Sequence, residues 1–317
     1  MSQAPVTFTT SASQTALAAL AKSIVQDLAT RYRLVGYVGQ GAWATVWQVC
    51  DDVTGQTLAL KRFEPRHSQT QHTYYQELRT LFRWHHPRLV QAVSMWECNG
   101  AQYLLMEYCG GGNLRDLAHR MKQPGDCPAD LVRDIGWRIS QGLLVAHKDE
   151  IVHRDIKPEN VLFAEPSENG FPRVESLKIA DFGLAKLLSR VAETSPAKPD
   201  GVFLRPLSGT PAYMAPEQFV GQYSKASDIY ALGVMMYELL HGELPWQGLP
   251  APAHAGQHLS FHAQLPSAWR ELLLLILTVP LHERPTAQQL VQEWLSPKAS
   301  SQIGRLRWQA YLQPPSS

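Results

Sequence analysis

The sequence contains few cysteines and no close cysteine pair. Its four cysteines, Cys50, Cys98, Cys109 and Cys127, stand far apart in a chain of 317 residues. No two of them form a CxxC pair, so the sequence indicates neither a zinc site nor a disulfide framework. A reduced chain in the cytoplasm is the simplest interpretation.

The chain also lacks a long apolar run and a large net charge. Its most apolar stretch, residues 272–277, is far shorter than the ~20 residues that a membrane helix needs, so we expect no membrane span. The formal net charge is +1, so neither nucleic acid nor an anionic membrane is favoured as a partner. Residues 1–15 have no basic segment and no apolar core, which argues against a signal peptide.

The composition is that of a folded protein. Hydrophobic residues make up 44% of the chain and charged residues 18%, which allows a sizeable core. A length of 317 residues exceeds one ordinary compact domain and suits two lobes.

The N-terminal segment predicts a helix after a disordered start. Residues 1–13 are expected to be disordered. Apolar side chains then recur at spacings of three and four, which predicts a short amphipathic helix; they are Leu17, Leu20, Ile24 and Leu28. We expect this helix to pack on the small lobe, and a regulatory or dimerising role is the alternative.

Strand patterns dominate the next eighty residues or so of the sequence. The predicted elements are strands at 32–38, 44–50, 58–63, 89–97 and 102–108 and one helix at 71–84. The pair Asn99-Gly100 predicts a hairpin turn between the last two strands.

The rest of the chain is mainly helical. It begins after Gly110, Gly111 and Gly112, which stand where we expect a hinge, and Asn113 is a plausible cap for the first helix. The predicted elements are helices at 114–121, 131–147, 227–240, 267–278 and 286–294 and a strand–loop–strand zone at 151–180. A strand-rich part followed by a helix-rich part predicts an α+β fold with two lobes.

Two early motifs are compatible with phosphate binding, although neither decides the matter alone. Gly39-Gln40-Gly41 lies between two predicted strands, where glycines let backbone N–H groups approach phosphate oxygens. The same pattern also marks plain hairpins. Lys61 stands inside an apolar strand, either as an edge lysine that reaches solvent or as a phosphate-binding cation held by Glu77.

The segment from His153 to Asn160 carries the most specific chemistry. Asp155 offers a carboxylate to accept a hydroxyl proton, Lys157 a cation to steady a transferring phosphate, and Asn160 a metal ligand. A second carboxylate follows in Asp181-Phe182-Gly183, and Ala215-Pro216-Glu217 comes later. With this ordered series the chain resembles the eukaryotic-like (Hanks-type) serine/threonine protein kinase family.

The resemblance implies a bilobal kinase-like fold and assigns catalytic roles. Lys61 pairs with the α- and β-phosphates of ATP and with Glu77, and Asp155 is the catalytic base. Lys157 contacts the γ-phosphate. Asn160 and Asp181 hold Mg²⁺, with Mn²⁺ as a substitute.

The resemblance also implies a nucleotide-binding set and two bracing residues. Besides Lys61, the set comprises the glycine-rich loop and the residues around the adenine, namely Val38, Gly39, Gly41, Val46, Ala59, Met106 as gatekeeper, Glu107 to Cys109 as hinge, and Leu162. Asp228 matches a residue that braces the catalytic loop, and Arg284 one that pairs with Glu217. Ala44 replaces the third glycine of the usual pattern, and residues 163–177 are interpreted as a surface insertion.

The expected substrates are serine and threonine side chains of proteins. Lys157 and the run from Gly209 to Glu217 match the serine/threonine members rather than the tyrosine kinases. A kinase-like scaffold without activity and a small-molecule phosphotransferase are the alternatives. Arg154 and the serines and threonines of residues 189–208 predict regulation by phosphorylation of the activation loop.

The expected organisation has three parts. Residues 1–31 form an N-terminal extension, residues 32–295 the kinase domain, and residues 296–317 a C-terminal tail. Within the kinase domain the small lobe ends near residue 108. The protein substrate, the upstream activator and the oligomeric state stay open.

Overall fold

The computed structural model describes most of the chain between residues 11 and 294. The described residues are 11–28, 31–41, 44–63, 81–121, 127–166, 172–182, 211–248, 258–263 and 265–294. The chain divides into two compact units, of which the first comprises Met1–Ser68 with Gln91–Tyr108 and the second Gln69–Val90 with Cys109–Ser317. Each unit is described separately below.

The described residues of the first unit form one helix and an antiparallel sheet. Its elements are α1 (Ser11–Asp27), β1 (Tyr32–Gln40), β2 (Ala44–Asp51), β3 (Thr57–Phe63), β4 (Ala92–Cys98) and β5 (Ala101–Glu107). The strands follow the order β1-β2-β3-β5-β4. All five strands coincide with predicted strands to within three residues at each end.

One expectation for the N-terminal part of the chain is wrong, and another lies largely outside the described residues. Helix α1 begins at Ser11, so residues 11–13 are helical where the sequence predicts disorder. The predicted helix at 71–84 lies largely outside the described residues, and its last part, Leu81–Arg83, is a 3-10 turn.

The turn between β4 and β5 has the conformation that its sequence predicts. Asn99 has φ 48° and Gly100 has φ 77°. A two-residue hairpin turn with positive φ at both positions matches the twist of the flanking strands, and Asn-Gly is the favoured pair there.

Helix α1 packs on one face of the sheet, as the sequence predicts. Ile24 is fully buried and Leu28 is 7% exposed. They belong to one apolar cluster with side chains of β2, β3 and β5, among them Trp47, Leu58 and Tyr103. Because successive side chains of a strand point to opposite faces, this packing leaves the other face of β2, β3 and β5 for a different role.

Where the structure describes it, the second unit is mainly helical and carries one short pair of strands. Its elements are α2 (Leu114–Arg120), α3 (Ala129–Lys148), β6 (Val161–Phe163), β7 (Leu177–Ile179), α4 (Lys225–His241), α5 (Ser267–Leu277) and α6 (Ala287–Gln289), which continues as a π-helical turn, Leu290–Trp294. Strands β6 and β7 pair antiparallel. The α+β class predicted from the sequence is confirmed.

Two helix glycines allow close packing around the strand pair and helix α4. A Cβ at Gly142 of α3 would lie 2.8 Å from Cδ1 of Ile179 in β7, and a Cβ at Gly233 of α4 would lie 2.4 Å from Cγ2 of Ile276 in α5. Both separations are shorter than a real Cβ contact. A larger residue would therefore push α3 away from β7, or α4 away from α5.

The glycines that follow the first unit are explained by packing on β6. The N–H of Gly111 donates to the carbonyl oxygen of Phe163 at 2.8 Å, and a Cβ at Gly111 would meet the carbonyl oxygen of Glu165 at 2.2 Å. Gly112 has φ 82°, which favours glycine. The hinge role of these glycines stays a prediction. In the part of the chain described here, no helix is long and apolar enough to cross a bilayer.

Candidate active site

The buried carboxylate of Asp228 fixes the start of the segment from His153 to Asn160, the candidate catalytic loop. It lies in α4 and is 1% exposed. Its oxygens accept the backbone N–H groups of His153 and Arg154, both at 2.9 Å. Nε2 of His147 in α3 lies 2.9 Å from the same carboxylate. The brace expected from the resemblance is therefore present, with His147 as a third contact.

His153 links the loop to the segment after β7. Its Nδ1 accepts the backbone N–H of Asp155 at 3.3 Å, and its Nε2 lies 2.8 Å from the carbonyl oxygen of Ala180. A neutral imidazole accepts at one nitrogen and donates at the other, so these contacts assign the proton to Nε2. The ring also packs edge-on against Phe182, with centroids 4.5 Å apart.

The side chains of Asp155, Lys157 and Asn160 converge. Nζ of Lys157 lies 2.8 Å from Oδ2 of Asp155, and both side chains are about one fifth exposed, at 21% and 22%. The amide of Asn160 donates to the backbone oxygen of Asp155 at 2.7 Å and to its Oδ2 at 3.2 Å. The carboxylate is therefore oriented by two neighbours and still partly open to solvent.

The two expected metal ligands lie at the same end of the β6–β7 pair. Asn160 directly precedes β6, and its carbonyl oxygen accepts the N–H of Ala180 at 2.9 Å. Asp181 is the next residue and has φ 64°, a conformation that costs energy for a residue other than glycine. Phe182, which follows, is buried against Trp84 and anchors this strained turn.

The donor set at this end of the strands suits a hard divalent cation. Carboxylate and amide oxygens are ligands that Mg²⁺ accepts, and Mg²⁺ binds through one or two carboxylates plus substrate phosphates and water. Among the described residues no group of three His, Cys, Asp or Glu side chains forms a metal cage. The arrangement therefore fits a metal that arrives together with a phosphate ligand.

Lys61 lies on the face of the first unit's sheet opposite α1. The lysine is 8% exposed on β3 and pairs in register with Val46 of β2 and Leu104 of β5. Ala59, two residues earlier, shares its face and pairs with Met106. Four residues of the expected nucleotide set thus share one surface: Val46, Ala59, Lys61 and Met106.

The glycines of the loop between β1 and β2 leave open space. Gly39 pairs with Val46 in the strand register, and an added Cβ there would meet no atom of the described residues within 4 Å. For Gly41 the nearest atom is the carbonyl oxygen of Ala44 at 3.8 Å. Because neither packing nor a positive φ requires glycine here, the space above the backbone is available to a ligand. Val38, beside them, is 49% exposed.

The remaining nucleotide-binding candidates are divided between the units. In the first unit, Glu107 forms two hydrogen bonds with Gln91: its backbone N–H donates to the Gln91 carbonyl oxygen at 2.9 Å, and its side-chain Oε1 accepts the Gln91 N–H at 3.0 Å. Cys109 and Leu162 belong to the second unit, where Leu162 forms a bridge with Asn113. Glu77 lies outside the described residues, as do residues 183–210.

Glu217, the last residue of the run that begins at Gly209, forms a buried ion pair with Arg284. The guanidinium donates to both carboxylate oxygens, at 2.6 and 3.0 Å. Ser227 adds a hydrogen bond to Glu217 at 2.9 Å. Burial alone raises the pKa of Glu217, but the bonds from Arg284 and Ser227 outweigh it and hold this pKa below its ordinary value.

Sequence reasoning missed a second charged cluster in this unit. Arg115 of α2 contacts Glu159, Tyr213 and Glu238, which come from three distant segments. The partners lie 44 to 123 residues from Arg115, so no local pattern connects them. The charges of Arg115 and Glu159 are visible in the sequence, but nothing in the sequence shows that these residues contact each other.

Known proteins resemble most of this chain. Residues 32–295 match the family described as Protein kinase domain. "Probable serine/threonine-protein kinase pknA2" of Bifidobacterium longum is 32% identical over 249 residues, which are 76% of this chain and 30% of that protein. "Serine/threonine-protein kinase Nek3" of Mus musculus is 32% identical over 257 residues, which are 80% of this chain and 43% of that protein.

A fungal protein adds to this comparison. "Serine/threonine-protein kinase RAD53" of Saccharomyces cerevisiae is 32% identical over 226 residues, which are 67% of this chain and 25% of that protein. The chain thus spans less than half the length of these curated relatives. The family match, in contrast, covers most of the chain and includes every motif described above. The chain belongs to the protein kinase family, as its resemblance to the Hanks-type serine/threonine kinases predicts.

Proposed function

We propose that the chain transfers the γ-phosphoryl group of ATP to serine and threonine hydroxyls of proteins. The observation that supports this most directly is the carboxylate of Asp155, oriented by Lys157 and Asn160 within one braced loop. In the reaction the hydroxyl oxygen attacks the γ-phosphorus, the bond to the β-phosphate oxygen breaks, and ADP leaves. Asp155 accepts the hydroxyl proton.

The lysines supply charge rather than covalent chemistry. Lys157, 2.8 Å from Asp155, would neutralise charge on the transferring group while the base takes the proton. Lys61, buried on its strand, would bind the α- and β-phosphates beside the open glycine loop. Val46, Ala59, Met106 and Leu162 would hold the adenine, and the backbone of Glu107 and Cys109 would read its edge.

Mg²⁺ is the proposed metal, with Mn²⁺ as a substitute. Asn160 and Asp181 would hold it through oxygen atoms, and the bound cation would neutralise phosphate charge. Asp155 would act beside this metal site, with its carboxylate oriented by Lys157 and the Asn160 amide.

Serine/threonine specificity follows from Lys157 and from the run that ends at Glu217. Tyr213 of that run, the proposed substrate platform, is buried and lines the same small cavity as Asp155, which supports a single site for the platform and the base. A scaffold that binds nucleotide without turnover is the competing function. A scaffold would not use Asp155 for catalysis, so a measurement of the phosphorylation rate distinguishes the two functions.

The deciding experiment is turnover by the purified chain with ATP, Mg²⁺ and a serine-containing peptide mixture. Asp155→Asn and Lys61→Met should each lower turnover by roughly 100-fold or more, because each removes stabilisation of the transition state. Asp130→Asn and Lys225→Met are matched controls, since Asp130 is 46% and Lys225 40% exposed. Melting curves should show all four variants folded.

The outcomes separate the two functions. Wild-type turnover that disappears in the two site variants and persists in the controls supports the kinase. Binding of ATP by the wild type with no phosphopeptide formed would support the scaffold instead. Turnover by Asp155→Asn close to wild type would show that this carboxylate is not the base.

A reducing compartment, such as the cytoplasm, is proposed for this chain. All four cysteines lie in described residues, and no disulfide joins any two of them. Disulfides form and persist in oxidising compartments, so this pattern favours a reducing one.

A further inference from the structure

Arg115 joins three groups around the catalytic loop. Its Nε donates to Glu159 at 2.8 Å, and its two terminal nitrogens donate to Glu238 and to the hydroxyl of Tyr213. The Tyr213 hydroxyl in turn donates to Glu238. One guanidinium therefore holds two carboxylates that belong to different segments.

The cluster is adjacent to the substrate platform. Glu159 follows Asp155 by four residues and directly precedes Asn160. Tyr213 lines the same small cavity as Asp155. A charged side chain of a bound peptide would therefore meet this cluster close to the phosphoacceptor.

The cluster contains more negative than positive charge. Two carboxylates face one guanidinium, and the Glu159 side chain is 44% exposed while Glu238 is 12% exposed. Burial alone lowers the pKa of Arg115, but the bonds to Glu159, Tyr213 and Glu238 outweigh it, so its pKa lies above the ordinary value and the guanidinium stays charged.

The carboxylates of Glu159 and Glu238 are close enough to bind one guanidinium together, because Arg115 contacts both of them. Such pairs take arginine because its planar fork donates to both acceptors at once. A cation in the same chain is present at an effective concentration of about millimolar or more, which a dilute peptide cannot match.

We propose that Arg115 determines substrate specificity by occupying, from within the chain, the place that an arginine or lysine of a substrate would take. The kinase then phosphorylates serine and threonine without selecting a basic residue near the phosphoacceptor. This inference rests on the proposed kinase function and adds that the site does not favour substrates with a basic residue near the phosphoacceptor.

The test uses a series of peptides with one central serine in an alanine background. A single arginine replaces alanine at each flanking position in turn, and kcat/KM for each arginine peptide is divided by that for the alanine peptide. This ratio cancels any general loss of activity in a variant. For the wild type we expect a ratio near one at every position.

Arg115→Met should free both carboxylates and raise the ratio at one position by about tenfold, the change that 1.4 kcal/mol represents. The rise should appear mainly in KM. Arg115→Lys should bring the ratio back towards one, and adding Glu159→Gln and Glu238→Gln to Arg115→Met should abolish the rise. Arg120→Met, in the same helix and exposed, is the control for the loss of one positive charge.

Three results would overturn the inference: a wild-type ratio well above one, an unchanged ratio in folded Arg115→Met, or an equal rise in Arg120→Met. The wild-type ratio needs no variant, so it tests the inference even if Arg115→Met does not fold. In that case Arg115→Gln is used in place of Arg115→Met. Failure of the kinase proposal is recognisable separately, because the wild type would then phosphorylate no peptide of the series.

Discussion

The carboxylate of Asp27 accepts a hydrogen bond from the hydroxyl of Tyr103, and this contact ties the end of helix α1 to strand β5. Tyr103 is fully buried, and Nε of Arg62 donates to the same hydroxyl at 3.3 Å. Arg62 follows Lys61 on β3. The N-terminal helix is thus connected through one hydroxyl to the strand that carries Lys61.

This relationship predicts that α1 is part of the stable first unit. Ile24→Ala should destabilise the chain by about 2–4 kcal/mol, because it leaves a cavity in a packed core. Asp27→Ala should cost about 1–3 kcal/mol, because the buried Tyr103 hydroxyl loses its acceptor. Unfolding in urea measures both values.

The control for these variants is Val25→Ala. Val25 neighbours Ile24 in the same helix and is 55% exposed, so its truncation should change stability by no more than ~0.5 kcal/mol. If Ile24→Ala unfolded at the same urea concentration as this control, α1 would not contribute to the core.

Local motifs account for what the sequence predicts correctly. The Asn113 side chain caps α2 by accepting the N–H of Asp116 at 3.1 Å, and Asn99-Gly100 forms its turn, because both effects act over two or three residues. Asp155, Lys157 and Asn160 also lie within one short loop. Their convergence therefore depends little on the distant fold.

Long-range pairings could not be derived in this way. His147 reaches Asp228 across 81 residues, and Arg115 reaches Glu238 across 123. Such contacts depend on how α2, α3 and α4 pack against one another, and the spacing of residues in the sequence does not determine this packing. The start of α1 was also misjudged, because the serines and threonine of residues 11–15 have weak helix propensity while the apolar repeat begins only at Leu17.

The buried pair of Glu217 and Arg284 predicts a stability that falls in acid. The folded pKa of Glu217 is held below the ordinary value, whereas in the unfolded chain it returns to about 4.3. The unfolded state therefore binds more protons as pH falls. The contribution of Glu217 should be complete above about pH 5 and decline below about pH 4.3.

Urea unfolding of the wild type and Glu217→Gln between pH 3 and 7 measures this contribution. The difference in unfolding free energy between the two should be largest near pH 7 and shrink in acid. Glu165→Gln is the control, since the side chain of Glu165 is 56% exposed. A difference in unfolding free energy that does not vary with pH would show that folding does not change the pKa of Glu217.

Asp181 follows Ala180, whose N–H donates to the carbonyl oxygen of Asn160, and the two proposed metal ligands predict how the rate of an Asp181 variant depends on Mg²⁺. Asp181→Asn should raise the Mg²⁺ concentration for half-maximal rate by about tenfold or more, the ratio that 1.4 kcal/mol represents, because a neutral amide attracts the cation less than a carboxylate. Rates measured over a Mg²⁺ titration provide the value. Asp134→Asn, on the surface of α3, is the control. Equal Mg²⁺ dependence in Asp181→Asn and wild type would exclude Asp181 as a ligand.

Phosphorylation within residues 189–208 should raise activity, because Arg154, which directly precedes Asp155, carries a positive charge that a phosphate can pair with. Its guanidinium carbon lies 4.8 Å from the ring centroid of Tyr223, and its backbone is fixed by Asp228. A phosphate carries close to two negative charges and pairs strongly with arginine. The segment itself lies outside the described residues, and Ser208 is the favoured site because it directly precedes Gly209 and Thr210 of the substrate platform.

The competing account is that Tyr223, together with a carboxylate such as Glu193 or Asp200, satisfies Arg154 without any phosphate. Intact-mass analysis of the active chain before and after phosphatase treatment separates the two accounts. With a phosphate switch, loss of 80 Da per site, the mass of HPO₃ that phosphate ester formation adds, should accompany a fall in turnover. Ser208→Ala should reproduce that fall, whereas Ser301→Ala should not. A chain that carries no phosphate and keeps full turnover would establish that Arg154 is held permanently from within the fold.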